Sequence, residues 1–150
     1  MTHIKQSCAV LMATKGRCDL LRNLSLPSVR KQSQSPALVV LVNDGCAFVP
    51  DDARSLAALV GIELVLLQNR RTEGAAGAWN TGLEFLASRG FDGFVAILDD
   101  DDEWDENHLT TNLDAARRAD AAVVVSGLRL IRDGVRCERV IPGDGAFLNQ

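Results

Sequence analysis

Long apolar runs are missing from this 150-residue chain. Its apolar runs, such as Ala121 to Val125, fall far short of the ~20 residues a membrane span requires. The opening residues Met1 to Gln6 are polar and carry no apolar stretch of signal-peptide type. The expectation is a protein without a transmembrane segment, acting in the cytoplasm. Cysteine is sparse and unpatterned. Cys8, Cys18, Cys46 and Cys137 include no CxxC spacing, which argues against zinc and dithiol redox sites and leaves four reduced thiols as the expectation. His3 and His108 are the only histidines. His108 reads as a surface residue of a helix, and no Ser/His/Asp or Cys/His constellation can be assembled. The sequence has no GxxxxGKS/T, and Gly74, Gly77 and Gly82 do not make GxGxxG, which argues against P-loop and dinucleotide sites. A basic surplus is absent too. Sixteen Lys and Arg stand against 20 Asp and Glu, a formal net charge of -4, so no nucleic-acid partner is expected.

What remains is the make-up of an ordinary soluble domain, 47% hydrophobic and 24% charged. The length suits one domain with its own core. Short apolar runs alternate with helix-like segments. Strands are expected at Cys8–Met12, Ala37–Val42, Ile62–Leu67, Phe94–Leu98 and Ala121–Val125. Helices are expected at 17–31, with a break or kink at Pro27, from Asp51 to a stop at Gly61, at 75–88 and at 106–118. Leu128–Ile131 and Val135–Ile141 flank Asp133-Gly134, a hairpin turn. Alternating strands and helices imply βαβ units, and strands apolar along their whole length imply a sheet covered on both faces. The expected class is therefore α/β, a mostly parallel sheet flanked by helices with a C-terminal β-hairpin. The tail from Gly143 to Gln150 has no helix or strand to finish it, which suggests a piece of something longer.

Ligands of open α/β sheets bind beyond the carboxyl ends of the strands. Three polar clusters fall at such ends: Thr14-Lys15-Gly16-Arg17, Asn43-Asp44-Gly45 and Asp99-Asp100-Asp101-Asp102. Adjacent aspartates repel one another, and a cation relieves that repulsion. Hard carboxylate oxygens suit Mg²⁺, Mn²⁺ or Ca²⁺. The same run also reads as a solvated acidic loop that opens the next helix, where negative charge is favoured. Position and composition leave both readings open. An EF-hand fails, because Trp104 and Thr110 stand where the loop needs Gly and Glu.

The order of these motifs resembles family 2 glycosyltransferases, inverting enzymes of the Rossmann-like GT-A fold. Ala13-Thr14-Lys15-Gly16-Arg17 is similar to that family's first strand end, and Asn43-Asp44-Gly45-Cys46 to its Asp-Asp-Gly-Ser turn. The stretch Gly74 to Gly82 resembles the Gly-rich approach to Arg-Asn-x-Gly. Leu98-Asp99-Asp100-Asp101-Asp102-Glu103-Trp104 resembles the Leu-Asp-x-Asp-Asp segment followed by Trp. Together these cover about residues 8 to 110.

The resemblance implies a nucleotide-diphosphate sugar as donor, by family habit a UDP-sugar, and Mn²⁺ or Mg²⁺ as cofactor. A glycan or other hydroxyl compound would be the acceptor. Asp44 would hydrogen-bond the base, and Thr14 and Arg17 would cradle nucleoside and phosphates. Asp99 would approach the ribose or the metal, and Asp101 would be the direct metal ligand. Asp100, Asp102, Asn80 and Arg71 would support sugar or phosphate. Two departures stand out. Trp79 replaces the family's Arg before Asn80, so it is either a core residue or a lost phosphate contact, with Arg70 or Arg71 as substitutes. The family's catalytic base comes from the half after the acidic motif, and no residue here takes that role. The expectation is a single donor-binding domain over 1–150 that lacks the acceptor-binding part. The alternative is a non-catalytic nucleotide-sugar-binding module. A phosphatase-like aspartate nucleophile is disfavoured, because the first strand ends in Ala13-Thr14.

Overall fold

A computed structural model describes residues 7–132 and 134–141, with main chain alone at 132 and 136–141. Asp133, the first six residues and the tail after Ile141 lie outside the described residues. The chain divides into two compact units, 1–110 and 111–150.

The first unit is built on four strands: β1 (Cys8–Thr14), β2 (Leu38–Asn43), β3 (Leu64–Gln68) and β4 (Phe94–Asp99). They form one wholly parallel sheet in the order β3-β2-β1-β4. Every residue of β1 and β2 is buried, which explains why both read as unbroken apolar runs. From β1 the chain steps outward to β2 and β3, then returns across the sheet to β4. Right-handed crossovers place the helices of outward and return connections on opposite faces. The return helix α4 (Ala75–Ser88) accordingly packs across β1 and β2. There Ala78 and Leu86 bury against Ala9, Leu11, Ala13, Leu38, Val40 and Val42. Alternate residues Val10, Met12, Val39 and Leu41, all fully buried, point to the other face by the strand period of two. The direction of winding reverses between β1 and β4, the position where such sheets open a crevice at their carboxyl edge.

The segment after β1 corrects the expectation of a break at Pro27. Helix α1 (Cys18–Leu20) runs through a wide turn (Leu21–Ser25) into α2 (Leu26–Arg30). In that turn the Leu26 N–H reaches back five residues to the Leu21 carbonyl. Pro27 directly follows that turn, whose wider spacing accommodates a residue without an N–H. Helix α3 (Pro50–Val60) carries Asp51 and Asp52 in its first turn and stops at Gly61, whose left-handed φ of 71° suits glycine.

The second unit holds most of α5 (His108–Ala119) and an antiparallel pair, β5 (Leu128–Arg132) and β6 (Val135–Ile141). The expected hairpin is therefore present. The expected strand at 121–125 is not. Ala121 donates to the Ala116 carbonyl at the end of α5, and Val123 and Val125 are 76% and 65% exposed. A strand needs a partner for its N–H and C=O groups, and among the described residues nothing pairs with this run.

Candidate functional site

The carboxyl ends of β1 and β4 lie side by side, with Ala13 opposite Asp99. Beyond them the acidic run turns back on itself, the Asp102 N–H donating to the Asp99 carbonyl at 3.2 Å. The four aspartates do not face alike. Asp100 is 1% exposed, whereas Asp99, Asp101 and Asp102 are open to water. A buried carboxylate is costly unless paired and hydrogen-bonded. Asp100 is both. Its Oδ2 accepts from the Thr14 hydroxyl at 2.5 Å and from Arg17 Nε at 3.0 Å, and its Oδ1 accepts from Arg17 Nη2. Thr14 in turn accepts from the Arg17 N–H at 3.3 Å. Arg17 Nη1 donates to Asp101 Oδ2, also at 3.3 Å. The hydrogen bond to Asp100 is the main reason the Arg17 guanidinium holds its proton more tightly than usual.

Asp99, Asp101 and Asp102 each offer a carboxylate oxygen within 4.8 Å of the others. Desolvation first, then the charges of Asp102, Asp101 and Asp100, raises the Asp99 pKa above its ordinary 3.8. Desolvation and Asp101 do the same to Asp102. Three convergent hard oxygens that resist holding charge together are a fitting donor set for a divalent cation such as Mn²⁺ or Mg²⁺.

A second network surrounds Asp44, at the end of β2. Its Oδ1 accepts from Asn69 Nδ2 and its Oδ2 from the Gly74 N–H at 2.7 Å. Those two bonds, with help from the Lys15 charge, hold the carboxyl below the usual aspartate range. The turn is fixed to the end of β1, where the Asp44 N–H donates to the Thr14 carbonyl at 2.7 Å. Gly45 is required there, since a Cβ would sit 2.9 Å from the Lys15 carbonyl oxygen. Lys15 Nζ reaches Glu73 at 2.9 Å, so the loops after β1 and β3 touch on the side of Asp44.

Thr14, Arg17, Asp44 and Asp99–Asp102 thus share one edge of the sheet. Arg71 binds Glu84 on α4, and Asn80 is exposed on that helix with no side-chain partner among the described residues. Trp79 packs against the core cluster, and its buried Nε1 has no hydrogen-bond partner, so the core alternative for this residue holds. His108 departs from the expectation of a surface residue. It stacks on Trp104 with ring centroids 4.5 Å apart, and burial lowers its pKa against the opposing pull of Asp105.

The roles of Asn69 and of the Gly74 N–H at Asp44 are not marked by any motif in the sequence. Asn69 directly follows β3 and so lies at the same carboxyl edge as the three clusters, the one signal available. The role of Gln32 is likewise unmarked. It is 6% exposed, donates to the carbonyls of Ser28 and Asp105, and accepts from the Leu109 N–H. It thereby caps the start of α5 from a distant part of the chain, which sets where the acidic loop ends.

Known proteins share this fold. S. aureus TarS 1-349 in complex with UDP superposes with a TM-score of 0.56 at 20% identity, over 75% of this chain and 32% of that one. A second S. aureus TarS structure gives 0.50 at 18% identity, over 75% of this chain and 20% of that one. These likenesses establish the GT-A fold. The amylovoran biosynthesis glycosyltransferase AmsB of Erwinia amylovora is 28% identical over 121 residues, which is 73% of this chain and 38% of AmsB. The chain therefore spans well under half of the relatives it matches. Glycosyl transferase family 2 matches residues 9–140, and this chain belongs to that family.

Proposed function

We propose that these residues form the donor-binding portion of a metal-dependent glycosyltransferase that takes a nucleotide-diphosphate sugar, with UDP-sugar as the first choice. The observation that carries this is the convergence of the Asp99/Asp101/Asp102 oxygens beside Thr14, Arg17 and Asp44 on the carboxyl edge of β1, β2 and β4. The UDP in TarS supports the choice of nucleotide. Asp44 orients the base, its carboxylate held ionised by Asn69 and the Gly74 N–H. Asp99, Asp101 and Asp102 hold Mn²⁺ or Mg²⁺. When bound, such an ion neutralises charge that grows on the departing nucleoside diphosphate. Arg17, half-exposed beside Asp101, adds a second positive charge on that side. Transfer is to a hydroxyl of a glycan or similar acceptor with inversion, and no residue described here is assigned as the base. A cytoplasmic setting accords with free thiols at Cys8, Cys18 and Cys46, and no described helix is long and apolar enough to cross a membrane.

One observation favours a second reading, a nucleotide-sugar-binding module without catalysis. Trp79 stands in the core where the family resemblance calls for Arg. Calorimetric titration with UDP, with and without Mn²⁺, tests the site. Metal-dependent binding that Asp101→Ala abolishes is expected, and a folded wild type that binds neither would overturn the proposal. Single-turnover transfer from UDP-sugars by the full-length protein separates enzyme from module.

A further inference from the structure

We infer that Asp100 is a positioning residue that governs cation entry to the neighbouring triad by restraining Arg17, without ligating the cation itself. The inference rests on the metal site proposed above. In its favour, Asp100 is 1% exposed and is not among the three carboxylates that converge. Its carboxylate accepts three of the about four hydrogen bonds it can take, all from Thr14 and Arg17.

Arg17 connects the two. Its Nε and Nη2 are held on Asp100, while Nη1 reaches Asp101 Oδ2 at 3.3 Å. That is a long contact against the 2.7–2.9 Å of a strong charged hydrogen bond. The guanidinium thus touches one carboxylate of the triad loosely and supplies a positive charge beside it. A divalent ion must compete with Nη1 for Asp101 and tolerate the arginine charge. Asp100 makes this easy by keeping the planar fork in its own bidentate grip, so that only the third nitrogen has to yield. Without the Asp100 charge, Arg17 is free to turn its fork to Asp101, and the cation then competes with a bidentate ion pair.

The arrangement predicts signs that a ligand or a purely structural residue does not. Mn²⁺ alone is titrated by calorimetry and by loss of the free-ion electron paramagnetic resonance signal. Wild type, Asp100→Asn, Arg17→Gln and the double variant are compared, with Asp101→Asn as control. Asp100→Asn is expected to weaken Mn²⁺ binding roughly tenfold, within the range of coupling between contacting groups. Arg17→Gln is expected to tighten it. In the Arg17→Gln background, Asp100→Asn should change affinity less than about threefold, because the residue it acts through is gone. If Asp100 were a direct ligand, its loss would weaken binding equally in both backgrounds, and that additive outcome overturns the inference. Should Asp100→Asn not fold, Arg17→Gln decides alone: unchanged or weaker Mn²⁺ binding refutes the restraint. A wild type that binds no Mn²⁺, or an Asp101→Asn variant that binds it as well as wild type, defeats the metal site and this inference with it. An additive cycle on a binding wild type defeats the inference only.

Discussion

Thr14 and Asp100, 86 positions apart in the chain, share a 2.5 Å hydrogen bond in the interior of the protein. The bond ties the end of β1 to the first residue past β4, across the place where the sheet reverses its winding. It is one leg of a triangle closed by Arg17, which touches both residues.

Replacing Thr14 with Val keeps the shape and removes the hydroxyl. Asp100 Oδ2 loses one of its two donors in a buried setting and the Arg17 N–H loses an acceptor in a partly buried one, so a destabilisation of about 1 kcal/mol is expected. Thr14→Ser should restore most of it. Urea denaturation with an unchanged m-value is the check, and a Val variant as stable as wild type would show that the bond contributes nothing.

The pKa directions set a pH dependence. The folded pKa values of Asp99 and Asp102 lie above 3.8, so without metal the folded protein binds more protons than the unfolded chain just above that value. Their contribution to stability therefore falls as pH rises through this window. Cation binding needs the deprotonated carboxylates, so Mn²⁺ affinity should rise with pH over the same window. Asp44 runs the other way. Its depressed pKa gives stability that is present above 3.8 and lost as pH falls below it. Mn²⁺ titrations between about pH 4 and about pH 7 test the first effect, and an affinity flat across that range would contradict it.

Gln32 holds three main-chain groups from two parts of the chain. Gln32→Ala should cost about 1–3 kcal/mol, since those groups lose buried partners. The more specific sign is faster hydrogen exchange at the Leu109 amide, with little change at β1. Equal protection in both proteins would mean that another group caps α5.

Trp79 offers a contrast between two substitutions. Its buried indole N–H has no partner, so Trp79→Phe removes an unsatisfied donor together with some apolar area. A net change within about 1 kcal/mol is expected. Trp79→Arg, which restores the residue of the family resemblance, places a charge against the core cluster and should lower the melting temperature clearly. Thermal unfolding of the two variants side by side settles the order.

The sequence by itself determined the layered architecture. β1 and β2 are apolar at nearly every position because both faces are covered, and that pattern needs no tertiary knowledge to recognise. The stop at Gly61, the hairpin around Gly134 and the placing of three polar clusters at strand ends were equally legible, because turn chemistry is local. At Pro27 and at Ala121–Val125 local rules failed. A widened helical turn absorbed the proline, and a strand cannot form without a partner to take its hydrogen bonds.

Only the tertiary structure decided which way each aspartate faces. Four identical side chains in a row carry no mark that one is buried and three are exposed. The difference arises because parallel pairing in the β1–β4 register brings Thr14 and two nitrogens of Arg17 against Asp100. The same holds for Asn69 and Gly74 on Asp44 and for Gln32 on Leu109. Each joins segments far apart in the chain, so its partner is chosen by the packing of the sheet and helices and is invisible in any stretch of sequence taken alone.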